Sequence, residues 1–126
     1  MDKGDRLSLI FDMQRVLNDD IRRKRGLEGI SAEEWIQKQT LAMLSELAEL
    51  LDEVNFKWWK NPKPTDENAL KDELVDILHF FISMCLEAGM PPQELFDRYM
   101  AKNNENFLRQ LGQSQKPGYE ALKPEE

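Results

Sequence analysis

The sequence predicts an all-α fold, most simply a four-helix arrangement. Four segments of the 126-residue chain carry apolar side chains at helical spacing, and breaks rich in Gly and Pro separate them. No segment alternates apolar and polar residues over the length of a strand. The length suits one domain, which we place at residues 1–111. Residues 112–126 form a tail that we expect to be extended or disordered unless something binds it.

The first two predicted helices have clear start and stop signals. Helix 1 runs from about Arg6 to Arg25, and Gly26 ends it. Helix 2 is the longest element, because its apolar positions continue from the capping box Ser31–Glu34 as far as Val54.

The third predicted helix runs from about Glu67 to Glu87, with Thr65 or Asp66 as its cap. It is apolar over most of its circumference, which predicts burial on nearly all sides. Such a helix is typical of an oligomer interface, and we therefore expect a homodimer or a dimer of dimers. The alternative is a monomer whose first and fourth helices cover it. Helix 4 follows from about Gln93 to Leu111.

Composition narrows the classes of function. A net charge of −7 argues against binding to DNA or RNA polymers, which requires clustered basic residues. The single cysteine, Cys85, excludes an intrachain disulfide and suits a reducing compartment, and the single histidine, His79, is too few for a zinc site of His and Cys. No signal core and no apolar run of about 20 residues are present, so we expect a cytoplasmic protein without a membrane partner.

Two acidic pairs lie inside strongly apolar stretches. Glu46 and Glu49 are three residues apart in helix 2, and Glu73 and Asp76 are three apart in helix 3. Residues at this spacing share a helix face, so each pair can present two carboxylates side by side. Mutual repulsion and partial burial would make four clustered carboxylates costly unless a hard cation binds them. The pattern therefore predicts a divalent metal site.

Several segments resemble motifs of the dimeric dUTPase family, part of the all-α nucleoside triphosphate pyrophosphatase superfamily that includes MazG. Glu73–Phe80 resembles its Glu-x-Val-Asp-x-x-His-Phe motif, and Met13–Asp19 is similar to its Leu-Gln-x-x-Leu-Asn segment. Phe56–Asn61 resembles its aromatic-lysine segment, and Ala101–Gln110 resembles its Lys-Asn-x-x-Asn-x-x-Arg-Gln segment. The family's Asp-x-Gly-Tyr-Lys run is matched only by Gly118–Glu120, without the lysine.

The resemblance implies an enzyme that hydrolyses dUTP to dUMP and pyrophosphate with Mg²⁺, or with Mn²⁺ as an alternative. It implies that the four carboxylates hold the metal: Glu46, Glu49, Glu73 and Asp76. We assign Glu46 as the carboxylate that handles the attacking water, with the other three mainly as ligands.

The resemblance also implies a set of substrate-binding residues. The cations expected to contact phosphate oxygens are Lys57, Lys60, Lys102 and Arg109. Gln14 and Asn18, one helical turn apart, each offer a donor and an acceptor that match the uracil edge. Trp59 or Phe80 would stack on the base, and Asn103 and Asn106 would help to fix the sugar or base.

Two alternatives stay open at this point. A pyrophosphohydrolase of the same fold could act on another nucleotide such as dCTP, because an amide can flip to suit either pyrimidine. From a different class, the chain could be a non-catalytic helical dimerisation module whose acidic stripes are solvated faces.

Overall fold

The computed structural model describes residues 5–121 and contains four α-helices over that range. They are α1 (Arg6–Arg25), α2 (Ala32–Glu53), α3 (Glu67–Glu87) and α4 (Pro92–Gln110). No strand occurs between residues 5 and 121, which confirms the all-α class. The predicted bounds of α1 and α3 are confirmed, and α4 begins and ends one residue earlier than predicted. No single helix in the described range is long and apolar enough to span a membrane.

Side-chain caps explain where the first three helices begin. Asp5 accepts a hydrogen bond from the amide of Ser8, and Ser31 accepts one from the amide of Glu34. Asp66 caps α3 by accepting from two backbone amides, which decides between the two predicted caps. Each cap satisfies backbone N–H groups that have no partner inside the helix. At the other end of α1, Gly26 adopts the left-handed conformation with φ of 66°, which glycine adopts without steric cost.

The chain divides into two compact units, one ending at Pro91 and one beginning at Pro92. In the first unit α3 packs against both α2 and α1. The apolar side chains buried most completely in this unit are Phe11, Trp35, Ile82 and Cys85. Burial raises the pKa of the Cys85 thiol above its usual value, since the charged thiolate is poorly solvated there.

Fewer side chains of α3 are buried than its apolar composition predicts. Ile82, Ser83 and Cys85 are buried, whereas Leu74 and Val75 are 51% and 52% exposed. The expectation of burial on nearly all sides is therefore not met within this chain, because α3 packs against two helices of its own unit and keeps a further apolar face in solvent.

Arg22 connects the three helices of the first unit. From α1 its guanidinium pairs with the carboxylate of Glu87 on α3. The same guanidinium lies over the ring of Trp35 on α2. One side chain thus joins the end of α1 to both neighbouring helices.

The second unit consists of α4 and the turns that follow it. Ser114 donates a hydrogen bond of 2.6 Å to the carboxylate of Glu105, and the guanidinium carbon of Arg109 lies 5.2 Å from the centre of the Tyr119 ring. Ser114 and Tyr119 of the predicted tail therefore contact α4. Residues 1–4 and 122–126 lie outside the described residues.

Candidate active site

Three carboxylates from two helices meet in the first unit. Glu46 and Glu49 come from α2 and Glu73 comes from α3, and one oxygen atom of each lies within 4.8 Å of the other two. The spacing of three residues places the first two on one face of α2, and the close packing of α2 on α3 brings the third opposite them. We call these three residues the carboxylate cluster.

Two oxygen atoms of the carboxylate cluster are buried without a hydrogen-bond partner among the described residues. They are Oε2 of Glu46 and Oε2 of Glu73. The pKa of Glu73 is raised from 4.5 to about 7, first by its hydrogen bond with Glu46, then by desolvation, and then by the negative charge of Glu49. A cluster that holds a proton in this way lacks positive charge, and oxygen-rich sites of this kind fit a hard divalent cation such as Mg²⁺.

Asp76 lies outside the carboxylate cluster, although the sequence pairs it with Glu73. It is one helical turn further along α3 and lines the same cleft as Glu46. The structure therefore brings together three of the four predicted metal ligands, and the role of Asp76 as a fourth ligand stays a prediction.

A cleft of about 550 Å³ opens between α1, α2 and α3 beside Glu46. The predicted base-binding residues Gln14, Asn18 and Phe80 line it, together with Asp76 and His79. Side chains predicted to bind the base and to bind metal thus share one cleft. Its remaining lining residues are Leu17, Ile21, Trp35, Lys38, Gln39, Ala42 and Ser83.

Gln14 and Asn18 are buried in a hydrogen-bonded network with α3. Gln14 Nε2 donates to Asn18 Oδ1 at 2.9 Å, and Asn18 Nδ2 donates to Ser83 Oγ at 3.1 Å. Ser83 Oγ donates to the backbone carbonyl of His79 at 2.8 Å. Nδ1 of His79 lies at hydrogen-bond distance from Gln14 Oε1, so the hydrogen bonds lead from Gln14 through Asn18, Ser83 and His79 back to Gln14. We call these four side chains the amide network.

Ser83 and Lys38 are two of the cleft residues that the sequence did not indicate as site residues. Ser83 carries no signal in the sequence beyond its place one turn after His79. Lys38 lies eight residues before Glu46, so both occupy one face of α2, and this spacing is a signal that could have identified it. In the structure Lys38 pairs weakly with Glu34, at 3.9 Å.

The predicted phosphate-binding lysines Lys57 and Lys60 belong to the loop after α2. Asn55 closes this loop with φ of 57°, donating from Nδ2 to the carbonyl of Lys63 at 2.8 Å and accepting from its amide at 2.9 Å. All three lysines line a cavity of about 440 Å³. Trp59 is 60% exposed and is not among the residues that line the cleft.

The remaining predicted substrate residues lie on α4 in the second unit. The Arg109 guanidinium contacts Glu105 and Asn106, each at 3.2 Å. Glu105 has a lowered pKa, because it accepts hydrogen bonds from Ser114 and then from Arg109. Lys102 is exposed and Asn103 is half-buried. Contact of these four predicted residues with a nucleotide stays a prediction.

Comparison with known proteins gives one family and three relatives. A family model described as dUTPase matches residues 6–94, which is more than half of the chain. The chain is 34% identical over 74 residues to a dCTP pyrophosphatase of Enterobacteria phage LZ5, covering 59% of this chain and 43% of that protein. It is 30% identical over 107 residues to a dCTP pyrophosphatase of Enterobacteria phage T4, covering 85% of this chain and 61% of that protein.

A third relative carries a different name. The chain is 28% identical over 100 residues to a DNA replication protein of Enterobacteria phage T4, covering 79% of this chain and 25% of that protein. This chain therefore spans less than two thirds of the length of each of these relatives. No solved structure matches it.

Proposed function

This chain belongs to the dimeric dUTPase family, and from that membership we propose that it is a nucleoside triphosphate pyrophosphohydrolase acting on dUTP. The products would be dUMP and pyrophosphate. The observation that carries the proposal is the position of Glu46, which belongs to the carboxylate cluster and also lines the cleft of the amide network. A metal-dependent reaction at the phosphates and recognition of the base could then occur at one site.

The carboxylate cluster supplies the reaction chemistry in this proposal. Glu46, Glu49 and Glu73 would hold Mg²⁺, with Mn²⁺ as an alternative and Asp76 as a further ligand. A divalent cation held there would neutralise phosphate charge and activate water for attack. Glu46 would receive the proton of the attacking water, and its buried, unpartnered Oε2 supports this assignment. If water attacks the α-phosphorus, its bond to the bridging oxygen breaks and pyrophosphate leaves. If water attacks the β-phosphorus, its bond to the same oxygen breaks, dUMP leaves, and the oxygen of the water ends in pyrophosphate.

Positive side chains would hold the triphosphate. We propose Lys57 and Lys60 from the loop closed by Asn55, together with Lys102 and Arg109 from α4, as the cations that contact phosphate oxygens. Lys38 adds a further cation, because it lines the cleft itself.

The amide network would read the base. Gln14 and Asn18 offer hydrogen-bonding groups within the cleft, and the ring of Phe80 lines the same space. We propose that Phe80 or Trp59 stacks on the base and that Asn103 and Asn106 fix the sugar or base.

Hydrolysis of dCTP is a second candidate function. The observation that favours it is that two relatives, at 34% and 30% identity, are named dCTP pyrophosphatases. The carboxylate cluster serves either substrate equally well, because the two triphosphates differ only in the base.

The deciding experiment measures pyrophosphate release with Mg²⁺ and dUTP, dCTP, dTTP, dATP or dGTP offered separately. Glu49→Gln removes one member of the carboxylate cluster, and Glu33→Gln, an exposed position at the start of α2, is its matched control. Preference for dUTP that only Glu49→Gln abolishes supports the proposal. Preference for dCTP moves the assignment to the second candidate, and release from no substrate would favour a non-catalytic dimerisation module.

We also propose that the chain forms a homodimer or a dimer of dimers. Apolar residues of α1 and α3 line a groove of about 640 Å³, and Met13 in that groove is 62% exposed. A contiguous apolar surface of this kind is typical of an interface. Light scattering should give the mass of an oligomer that Met13→Glu reduces and Lys71→Glu does not. A cytoplasmic location is part of the proposal, because the free thiol of Cys85 suits a reducing compartment.

A further inference from the structure

Ser83 is the member of the amide network whose side chain donates to a backbone carbonyl group. Its side chain is almost completely buried, at 1% exposure. Ser83 Oγ is 2.8 Å from the carbonyl oxygen of His79 and 3.1 Å from Asn18 Nδ2, whereas Asn18 Oδ1 is at 3.5 Å. A hydroxyl group has one proton to donate, and a carbonyl oxygen can only accept. The short contact with the carbonyl therefore takes that proton, and Ser83 Oγ accepts from Asn18.

This one proton sets the direction of every other hydrogen bond in the network. Because Asn18 turns its nitrogen to Ser83, its oxygen faces Gln14 and accepts from Gln14 Nε2. Gln14 then turns its own oxygen to His79 Nδ1, which must carry a proton to donate. The neutral ring consequently keeps a lone pair on Nε2. If both amides flipped, Nδ1 would accept and Nε2 would carry the proton instead.

The direction matters because uracil and cytosine differ in the order of their hydrogen-bonding groups. Along the pairing edge uracil offers acceptor, donor, acceptor, and cytosine offers acceptor, acceptor, donor. Gln14 and Asn18 each keep a second amide N–H that has no partner among the described residues. The lone pair of His79 Nε2 likewise has no partner there. Two donors and one acceptor match either base in number, so only their order can distinguish the two.

We propose that Ser83 is a positioning residue that makes the cleft selective for one pyrimidine by preventing Gln14 and Asn18 from flipping. The inference rests on the proposed function, since it places the base of the substrate in the cleft. It holds whichever of dUTP and dCTP is preferred, because it concerns the existence of selectivity and its origin. Ser83 acts through the amides and the ring of His79.

The first test needs no substituted protein. His79 is the only histidine of the chain, so nitrogen-15 NMR of untagged protein reports a single imidazole. At about pH 8.5 an ordinary histidine is neutral, and its tautomer is then read directly from the two nitrogen shifts. We expect the proton on Nδ1. A proton found on Nε2 would overturn the inference.

The second test measures selectivity. The ratio of kcat/KM for the preferred pyrimidine triphosphate to kcat/KM for the disfavoured one should fall by at least about tenfold in Ser83→Ala. Most of the change should be a rise in kcat/KM for the disfavoured substrate, because amides that are free to flip can pair with the hydrogen-bonding groups of its base. Ser83→Thr retains the hydroxyl and should preserve the ratio. Thr40→Val is the matched control, because Thr40 also donates to the carbonyl four residues earlier but has no contact with the amides.

The outcomes separate this inference from the proposed function. An unchanged ratio with an unchanged His79 tautomer in Ser83→Ala refutes the role of Ser83 while leaving the diphosphatase intact. Equal hydrolysis of dUTP and dCTP by the unsubstituted protein refutes it too. If no triphosphate is hydrolysed, the proposed function fails, and with it the selectivity role. If Ser83→Ala does not fold, the tautomer of the unsubstituted protein and the ratio in Ser83→Thr decide.

Discussion

The guanidinium carbon of Arg22 lies 4.6 Å from the centre of the Trp35 ring. Trp35 lines the cleft and Arg22 does not, so Arg22 contacts a wall of the cleft from outside it. Because the same guanidinium also pairs with Glu87, the position of that wall depends on all three helices of the first unit.

Removing this side chain should destabilise the first unit. Arg22→Ala loses a partly buried ion pair and a cation–π contact, and we expect the free energy of unfolding to fall by about 2 kcal/mol. Arg23→Ala removes a neighbouring arginine that is 69% exposed and should change stability by less than about 0.5 kcal/mol. Urea denaturation followed by tryptophan fluorescence measures both, and equal effects of the two substitutions would contradict the role of Arg22.

The stability of the metal-free protein should fall as the pH rises past neutrality. In the folded state the pKa of Glu73 is raised from 4.5 to about 7, so the folded chain binds that proton more tightly than the unfolded chain does. Its contribution to stability is complete below the unfolded pKa and is lost as the pH rises through the folded pKa. We expect the melting temperature in EDTA to decrease between about pH 5 and pH 8, relative to Glu73→Gln, which lacks this group.

Lowered carboxyl pKa values elsewhere act in the opposite direction. Asp20, whose pKa is lowered chiefly by its hydrogen bond with Lys24, contributes stability that is lost as the pH falls. The informative quantity is therefore the difference between the unsubstituted protein and Glu73→Gln. A difference that does not vary with pH would refute the assignment.

Loss of a cluster carboxylate should abolish both activity and the thermal response to metal. Glu49→Gln and Glu73→Gln each remove one charged oxygen donor, and we expect kcat to fall by at least about 100-fold, because even indirect disruption of metal sites costs 10–100-fold. The increase in melting temperature on adding Mg²⁺ should shrink in parallel, since binding to the folded state stabilises it. Glu33→Gln should retain both responses. Full retention of the Mg²⁺ response in Glu49→Gln would show that the cation binds elsewhere.

The loop closed by Asn55 should matter for substrate affinity more than for stability. Asn55→Gly keeps the left-handed backbone but removes both hydrogen bonds to Lys63, which together contribute about 1 kcal/mol at this exposed position. We expect KM to rise about fivefold with little change in kcat, because Lys57 and Lys60 are then less ordered before binding. Steady-state kinetics with the preferred triphosphate measures the change. An unchanged KM would remove the loop from the binding site.

Local signals explain why the helices were predictable. Ser31, Asp66 and Gly26 act through neighbouring backbone groups, so their effect is visible in the sequence, and three glutamates were brought together because helical spacing and helix pairing suffice for them. The family resemblance is likewise confirmed by the match over residues 6–94.

Features that depend on packing between distant segments were not predictable. The partnership of Asn18 with Ser83 joins residues 65 positions apart, and nothing in either local pattern indicates it. Asp76 and Glu73 are three residues apart, as Glu46 and Glu49 are, yet Asp76 lines the cleft and is not part of the carboxylate cluster. Side chains three residues apart on a helix differ in direction by tens of degrees, and spacing alone does not show which of them meets the other helix. The exposure of α3 depends on how many helices surround it, which composition does not encode.

The burial of Cys85 gives this protein a practical property. Maleimides and related probes react with the thiolate, and the raised pKa of Cys85 keeps the thiolate form scarce. Its burial also keeps the probe away from the sulfur. A cysteine introduced on the surface of α4 or on the loop closed by Asn55 would therefore be labelled selectively without first replacing the native one. The natural chain already provides the unreactive background that fluorescence or spin-label distance measurements between labelled positions require.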